Sequence, residues 1–148
     1  MNRTYLGFDF GLRRIGIAVG SRDTGAARPV ATAANHAQPD WQAIDRVVAD
    51  WMPAALVLGV PYNADGSAHA VTEAARAFAA ALEHRFGLPV HTTDERYSSA
   101  IATTALIERR ARGARGRIKR EDIDAEAAAV ILGGWLAARH DEENDRND

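Results

Sequence analysis

The chain has 148 residues, 47% hydrophobic and 26% charged, a formal charge of −2 and no cysteine. That length and balance fit one domain with a sizeable core, and the lack of thiols excludes disulfides, thiolate zinc sites and cysteine nucleophiles. No basic segment precedes an apolar signal core, and the longest apolar stretch, near 54–60, is too short to span a bilayer, so a soluble, cytoplasmic chain without a membrane partner is expected.

Residues 4–20, TYLGFDFGLRRIGIAVG, open the chain as a hairpin: an aromatic strand through Phe10, a turn from Gly11, and a second apolar run at Ile15, Ile17 and Val19. Alternation sets Leu6, Phe8 and Phe10 on one face of the first strand and Tyr5, Gly7 and Asp9 on the other, so an open pocket is expected beside the carboxylate. A buried carboxylate without a partner costs several kcal/mol, so Asp9 requires a cation, an arginine or backbone donors. The Gly11 to Arg14 turn, Arg13 or Arg14 could each serve.

Arg28 to Ala33 reads as a third strand, completing a meander. Pro39 and Asp40 then start a helix in which Trp41, Ile44, Val47, Val48 and Trp51 recur at helical spacing, and Pro53 stops it. Ala54 to Val60 has the continuous apolar character of a strand covered on both faces. The following loop, GVPYNADGS over 59–67, is rich in turn formers where open α/β sheets place ligands, and it contains Asn63. Ser67 is expected to cap a helix from Ala68 to Phe86, with Val71, Ala74, Ala75, Phe78 and Leu82 inward and Gly87 as its stop.

Pro89 to Thr93 forms a short strand leading into Asp94, Glu95 and Arg96, and a helix is expected from Ser98 or Ser99 to about Arg110. Arg109 to Arg120 holds seven basic residues in twelve, interleaved with Gly113 and Gly116, which reads as a cationic loop suited to a phosphate backbone or as a solvated connection. The last helix begins near Asp122, with Ile123, Ala127, Val130, Ile131, Trp135 and Leu136 apolar. Residues 1–140 form the domain, and 141–148 an acidic, disordered tail whose removal changes the formal charge from −2 to +2.

Three carboxylates stand at suggestive points: Asp9 in the first strand, Glu95 after the last, and Asp124 in the opening turn of the final helix. Each has an ordinary alternative, since Glu95 can pair with Arg96 and Asp124 can favour the helix dipole. If they converge, oxygen ligands without cysteine or a histidine pair favour Mg2+ or Mn2+ over zinc, and such a site can activate water against a phosphodiester.

Gly7-Phe-Asp9-Phe-Gly11 with Arg14-Ile-Gly-Ile-Ala-Val19, then Gly59-Val-Pro61 with Asp65-Gly66-Ser67, Asp94-Glu95-Arg96 with Ser98, and Ile123-Asp124 with Ala127-Ala128 and Ile131-Leu132 resemble the YqgF (RuvX) family, from Tyr5 to Leu136. The resemblance implies a ribonuclease H-like fold: a five-stranded mixed sheet in the order β-β-β-α-β-α-β-α, with helices on both faces. It implies a bacterial cytoplasmic nuclease for the 5′ end of 16S ribosomal RNA precursors, or a Holliday junction resolvase. Asp9, Glu95 and Asp124 would be the catalytic and metal-binding triad. Arg14, Asn63, Arg96, Ser98, Arg112, Arg115, Arg117 and Lys119 are the expected substrate contacts, with RNA favoured over DNA and pre-ribosomal particles as possible partners of a monomer or weak dimer.

Many ribonuclease H-like enzymes bring four carboxylates, and the fourth is open here: Glu121 shares a helix face with Asp124, whereas Asp122 and Glu126 are turned from it. Substrate phosphates could complete a second metal site when nucleic acid is bound. Two other functions compete. The first strand and Gly11 resemble a phosphate loop of sugar kinases and actin-like ATPases, but those need two such domains, and neither a Walker loop nor a Gly-x-Gly-x-x-Gly turn occurs. A catalytically silent RNA-binding assembly factor is the alternative of a different class.

Overall fold

The computed structural model describes residues 2–61, 69–94 and 120–147. Strands β1 (Thr4–Phe10), β2 (Arg14–Ser21) and β3 (Ala27–Ala34) form an antiparallel meander, while β4 (Ala55–Val60) and β5 (Val90–Asp94) add in parallel on the other side of β1. The spatial order is β3-β2-β1-β4-β5. Parallel neighbours need a crossover, and helices α1 (Trp41–Trp51) and α2 (Ala70–Phe86) provide the connections to β4 and β5. Helix α3 (Arg120–Asn147) covers the opposite face. The expected mixed five-stranded sheet with helices on both faces is present; the helix expected over 98–110 lies outside the described residues.

Strand alternation sorts the core into two layers. Leu6, Phe8 and Phe10 of β1, with Ile15, Ile17 and Val19 of β2, pack against Ile44 and Val47 of α1 and Phe78 and Leu82 of α2. Tyr5, Ala18, Ala55 and Val57 face the other way, under Ala128, Ala129, Ile131, Leu132 and Leu136 of α3. Every residue of β4 is buried, as its unbroken apolar run requires of a strand covered on both sides. Each large apolar side chain removed from water contributes about 1.5–3 kcal/mol, so both layers hold the sheet.

The α3 layer corrects one expectation. Gly7 does not leave an open pocket beside Asp9, because α3 fills that space: a Cβ on Gly7 would stand 2.7 Å from Leu132 Cβ. Alanines on the helix and glycines on the strands let backbone approach backbone where larger residues would hold the layers apart.

Local signals at α1 behave as their chemistry dictates: the Asp40 carboxylate accepts from the Ala43 N–H at 3.2 Å, and the helix ends at Met52. At α2 the expected start shifts. His69, not Ser67, caps the helix, which begins at Ala70 rather than Ala68. The His69 Nδ1 accepts from the Val71 N–H, and the His69 N–H donates to Thr72 Oγ1. Thr72 is fully buried and its hydroxyl donates to the Pro61 carbonyl, so the cap is fixed by its tie to the end of β4.

On the α3 side, Trp135 gathers a ring of partners: Tyr5 at 5.4 Å, His91 of β5 at 5.0 Å, and the Arg139 guanidinium at 4.8 Å over its face. Burial, and then the Arg139 charge, push the His91 imidazole below its ordinary 6.5. A histidine whose folded pKa is depressed binds its proton more readily when unfolded, so its stabilising contribution is present above pH 6.5 and fades as pH falls below it. The melting temperature should therefore drop from pH 7.5 to 5.5 more steeply in the wild type than in His91→Gln; parallel pH profiles would contradict this.

Candidate active site

The site is built where β1, β2 and the start of α3 meet. Asp9 is half-buried on β1, and the register sets it between two glycines, Gly16 on β2 and Gly59 on β4. The residue paired with Asp9 on each neighbouring strand therefore carries no side chain. On the β2 side that room is taken by helix backbone: a Cβ at Gly16 would lie 1.9 Å from the Asp124 carbonyl oxygen and 2.9 Å from the Ala125 nitrogen. The second turn of α3 thus rests on the strand residue paired with Asp9, one strand away from it.

The Asp124 side chain is held by Arg14, whose Nε donates to Oδ2 at 2.6 Å, with 28% of the arginine and 25% of the aspartate side chain exposed. Charge-assisted bonds of this kind are short and among the stronger ones in proteins. Arg14 shares a face of β2 with Gly16 and Ala18, so strand alternation aims it at α3.

Its backbone is also fixed. The Gly11 N–H donates to the Arg14 carbonyl at 3.0 Å, closing the β1–β2 turn. Asn35, which is buried, clamps the same turn: its Nδ2 donates to the Gly11 carbonyl at 2.7 Å and its N–H to the Arg13 carbonyl at 2.8 Å. Sequence reasoning passed over Asn35, a polar residue just after a strand whose role depends on a turn some twenty residues earlier. Asparagine is suited to it by carrying donors and an acceptor on a short stem.

Of the expected site residues, Asp9, Arg14 and Asp124 are described, and all three lie at the same end of the sheet. Glu95, Asn63, Arg96, Ser98, Arg112, Arg115, Arg117 and Lys119 lie outside the described residues. Strand β5 ends at Asp94, paired with Val60 one step beyond the row formed by Gly16, Asp9, Gly59 and Thr93. Glu126 is buried on α3, one of three buried polar or charged side chains among the described residues with Asn35 and Thr72. Among the described residues no group of three His, Cys, Asp or Glu side chains is placed to hold a metal ion. Asp9 and Asp124 offer hard oxygen donors, which fit a hard divalent cation better than zinc, and the residues paired with Asp9 on β2 and β4 are glycines.

A family model described as RuvX, Holliday junction resolvase, matches residues 3–138. A protein of Azotobacter vinelandii named as a candidate pre-16S rRNA nuclease is 46% identical over 138 residues, 93% of this chain and 95% of that one. One of the same name from Legionella pneumophila strain Philadelphia 1 is 47% identical over 133 residues, covering 89% and 94%. Among solved structures, Thermus thermophilus RuvC in complex with a Holliday junction substrate aligns with a TM-score of 0.53 at 18% identity, over 93% of this chain and 95% of that one. The Fowlpox virus resolvase with its junction DNA gives 0.54 at 12% identity, over 92% and 98%. At such identities the two structures establish the fold, which is ribonuclease H-like.

The contact at Gly16 makes a prediction. Gly16→Ala should lower stability by about 1–3 kcal/mol or more, because neither the strand nor the helix backbone can yield cheaply. Gly134→Ala, on an exposed turn of α3 with nothing within 4 Å of the new methyl, should leave stability unchanged or raise it by up to about 1 kcal/mol. Urea unfolding of the two variants compares them directly, and equal midpoints would contradict the close approach.

Proposed function

The chain belongs to the RuvX family, and from that premise we infer that it is a metal-dependent nuclease hydrolysing phosphodiester bonds. The observation within this molecule that supports the reading is the seating of the second turn of α3, at the Asp124 backbone, on Gly16, the register partner of Asp9. We propose that Asp9 is the central ligand of a Mg2+ or Mn2+ ion, with Asp124 and Glu95 flanking it.

When bound, the ion supplies Lewis acidity to the phosphoryl group and a more acidic water. The chain contributes the rest. Asp9 lies on the central strand and Asp124 on a long helix whose backbone is seated on the neighbouring strand, so the fold fixes the main chain that carries both carboxylates. Arg96 and the basic residues Arg112, Arg115, Arg117 and Lys119 are proposed to contact phosphates, with Asn63 and Ser98 as further substrate contacts. Contacts to phosphate fix the position of a nucleic acid without selecting its sequence.

For the substrate we propose precursor 16S ribosomal RNA, in the cytoplasm and within pre-ribosomal particles. What supports this is the 46–47% identity over nearly full length to proteins carrying that name, against 12–18% for the junction-bound structures. Junction resolution is the second reading, favoured by the family description itself. Among the described residues no helix is long and apolar enough to cross a membrane.

Cleavage of a 16S precursor RNA and of a four-way DNA junction should be compared for wild type and Asp9→Asn, with Mg2+ or Mn2+. RNA cleavage falling at least about a hundredfold in the variant, equivalent to about 2.7 kcal/mol of barrier, is expected. Junction cleavage alone would establish the resolvase instead, and binding without cleavage by folded wild type would point to an assembly factor. Replacing Arg112, Arg115, Arg117 and Lys119 by Gln should also flatten the salt dependence of RNA binding, by about 0.7 in logarithmic slope per lost phosphate contact. An unchanged slope would remove these four residues from the binding surface.

A further inference from the structure

The Arg14–Asp124 pair sits at the heart of the proposed metal site and works against it. A guanidinium bonded to Oδ2 at 2.6 Å satisfies the oxygen that a cation would share, and its positive charge repels a divalent ion approaching the same carboxylate. The pair is not a chance surface contact. The Arg14 backbone is fixed by the Gly11 bond and the buried Asn35 clamp, and the Asp124 backbone by its seat on Gly16. At 28% exposure, however, the arginine side chain reaches solvent, where a phosphate can meet it. Guanidinium binds phosphate in the same planar, forked manner as carboxylate, so the nucleic acid offers Arg14 an equivalent partner.

We propose that Arg14 is a positioning residue acting as an internal counter-ion, which holds Asp124 until nucleic acid arrives and then passes to a backbone phosphate. The inference rests on the metal-dependent nuclease reading of this site. Its consequence is coupling: cation and nucleic acid each favour the state in which Arg14 has left Asp124, so each strengthens the binding of the other by the same factor. A phosphodiester entering the site would thus bring about the cation affinity needed to cleave it, and the free protein would hold metal weakly.

The test is Mn2+ binding to the full chain, measured by electron paramagnetic resonance with and without a non-cleavable 2′-O-methyl RNA. Wild type should bind Mn2+ weakly alone and about tenfold more tightly with the RNA. Arg14→Gln should bind Mn2+ about tenfold more tightly than wild type without RNA, and gain less than about twofold from adding it; tenfold corresponds to about 1.4 kcal/mol. Arg14→Gln binding Mn2+ no more tightly than wild type would overturn the proposal.

An independent readout needs no variant. The Arg14 Nε–H resonance should persist with Mg2+ alone and shift when Mg2+ and the RNA are both present; an unchanged resonance would overturn the proposal equally. Asp9→Asn separates the two levels of inference. If it weakens Mn2+ binding while Arg14→Gln has no effect, the metal site stands and the counter-ion role falls. If neither Asp9→Asn nor the RNA alters Mn2+ binding, the metal site itself falls, and the proposal with it.

Discussion

Helix α3 lies on the sheet at a distance that no side chain would permit at Gly16, where even a methyl group would overlap the Asp124 carbonyl. This contact fixes the helix along β2 and decides which of its residues reaches the sheet beside Asp9. Gly7 and Gly20 extend the approach along β1 and β2, where an added Cβ would meet Leu132 and Leu136 side chains 2.7 Å away. The alanines at 125 and 127–129 complete it from the helix side. Small residues in register on two elements thus replace side-chain interdigitation by backbone proximity, and the site inherits its geometry from the packing.

The chemistry follows from what that packing leaves beside Asp9. Its register partners on β2 and β4 are both glycines, so the carboxylate stands on a stretch of sheet without side-chain neighbours in its row. The helix seats the backbone of a second acidic residue, Asp124, on that stretch, and the start of β2 brings an arginine to its carboxylate. Two acids close together in a partly buried site are unfavourable without positive charge, and both a divalent cation and Arg14 can supply it. That redundancy makes Arg14 a natural point at which metal uptake and substrate binding communicate.

Much of this architecture was legible in the residues. Alternation along β1 sorted its side chains correctly between the two layers, and the unbroken apolar run of β4 announced a strand buried on both faces. What escaped depended on partners distant in sequence. A glycine beside a carboxylate reads as empty space until the element that fills it is known, which is why Gly7 suggested a pocket where α3 lies. Arg14 reads naturally as a phosphate contact, because nothing local reveals an aspartate 110 positions away. The cap of α2 went to His69 because Thr72 and the Pro61 carbonyl define that end of the helix, whereas Ser67 was the better cap by residue type alone.

The account's central claim is that Asp9 and Asp124 share one divalent cation at the seat of α3 on β2. Anomalous diffraction at the manganese edge, from crystals grown with Mn2+ and a non-cleavable RNA, tests it most directly. The account predicts a manganese peak bonded to carboxylate oxygens of both residues, with the Arg14 guanidinium turned from Asp124 to a phosphate. A peak bonded to neither carboxylate, or RNA bound with Arg14 still on Asp124 and no manganese beside Asp9, would contradict it.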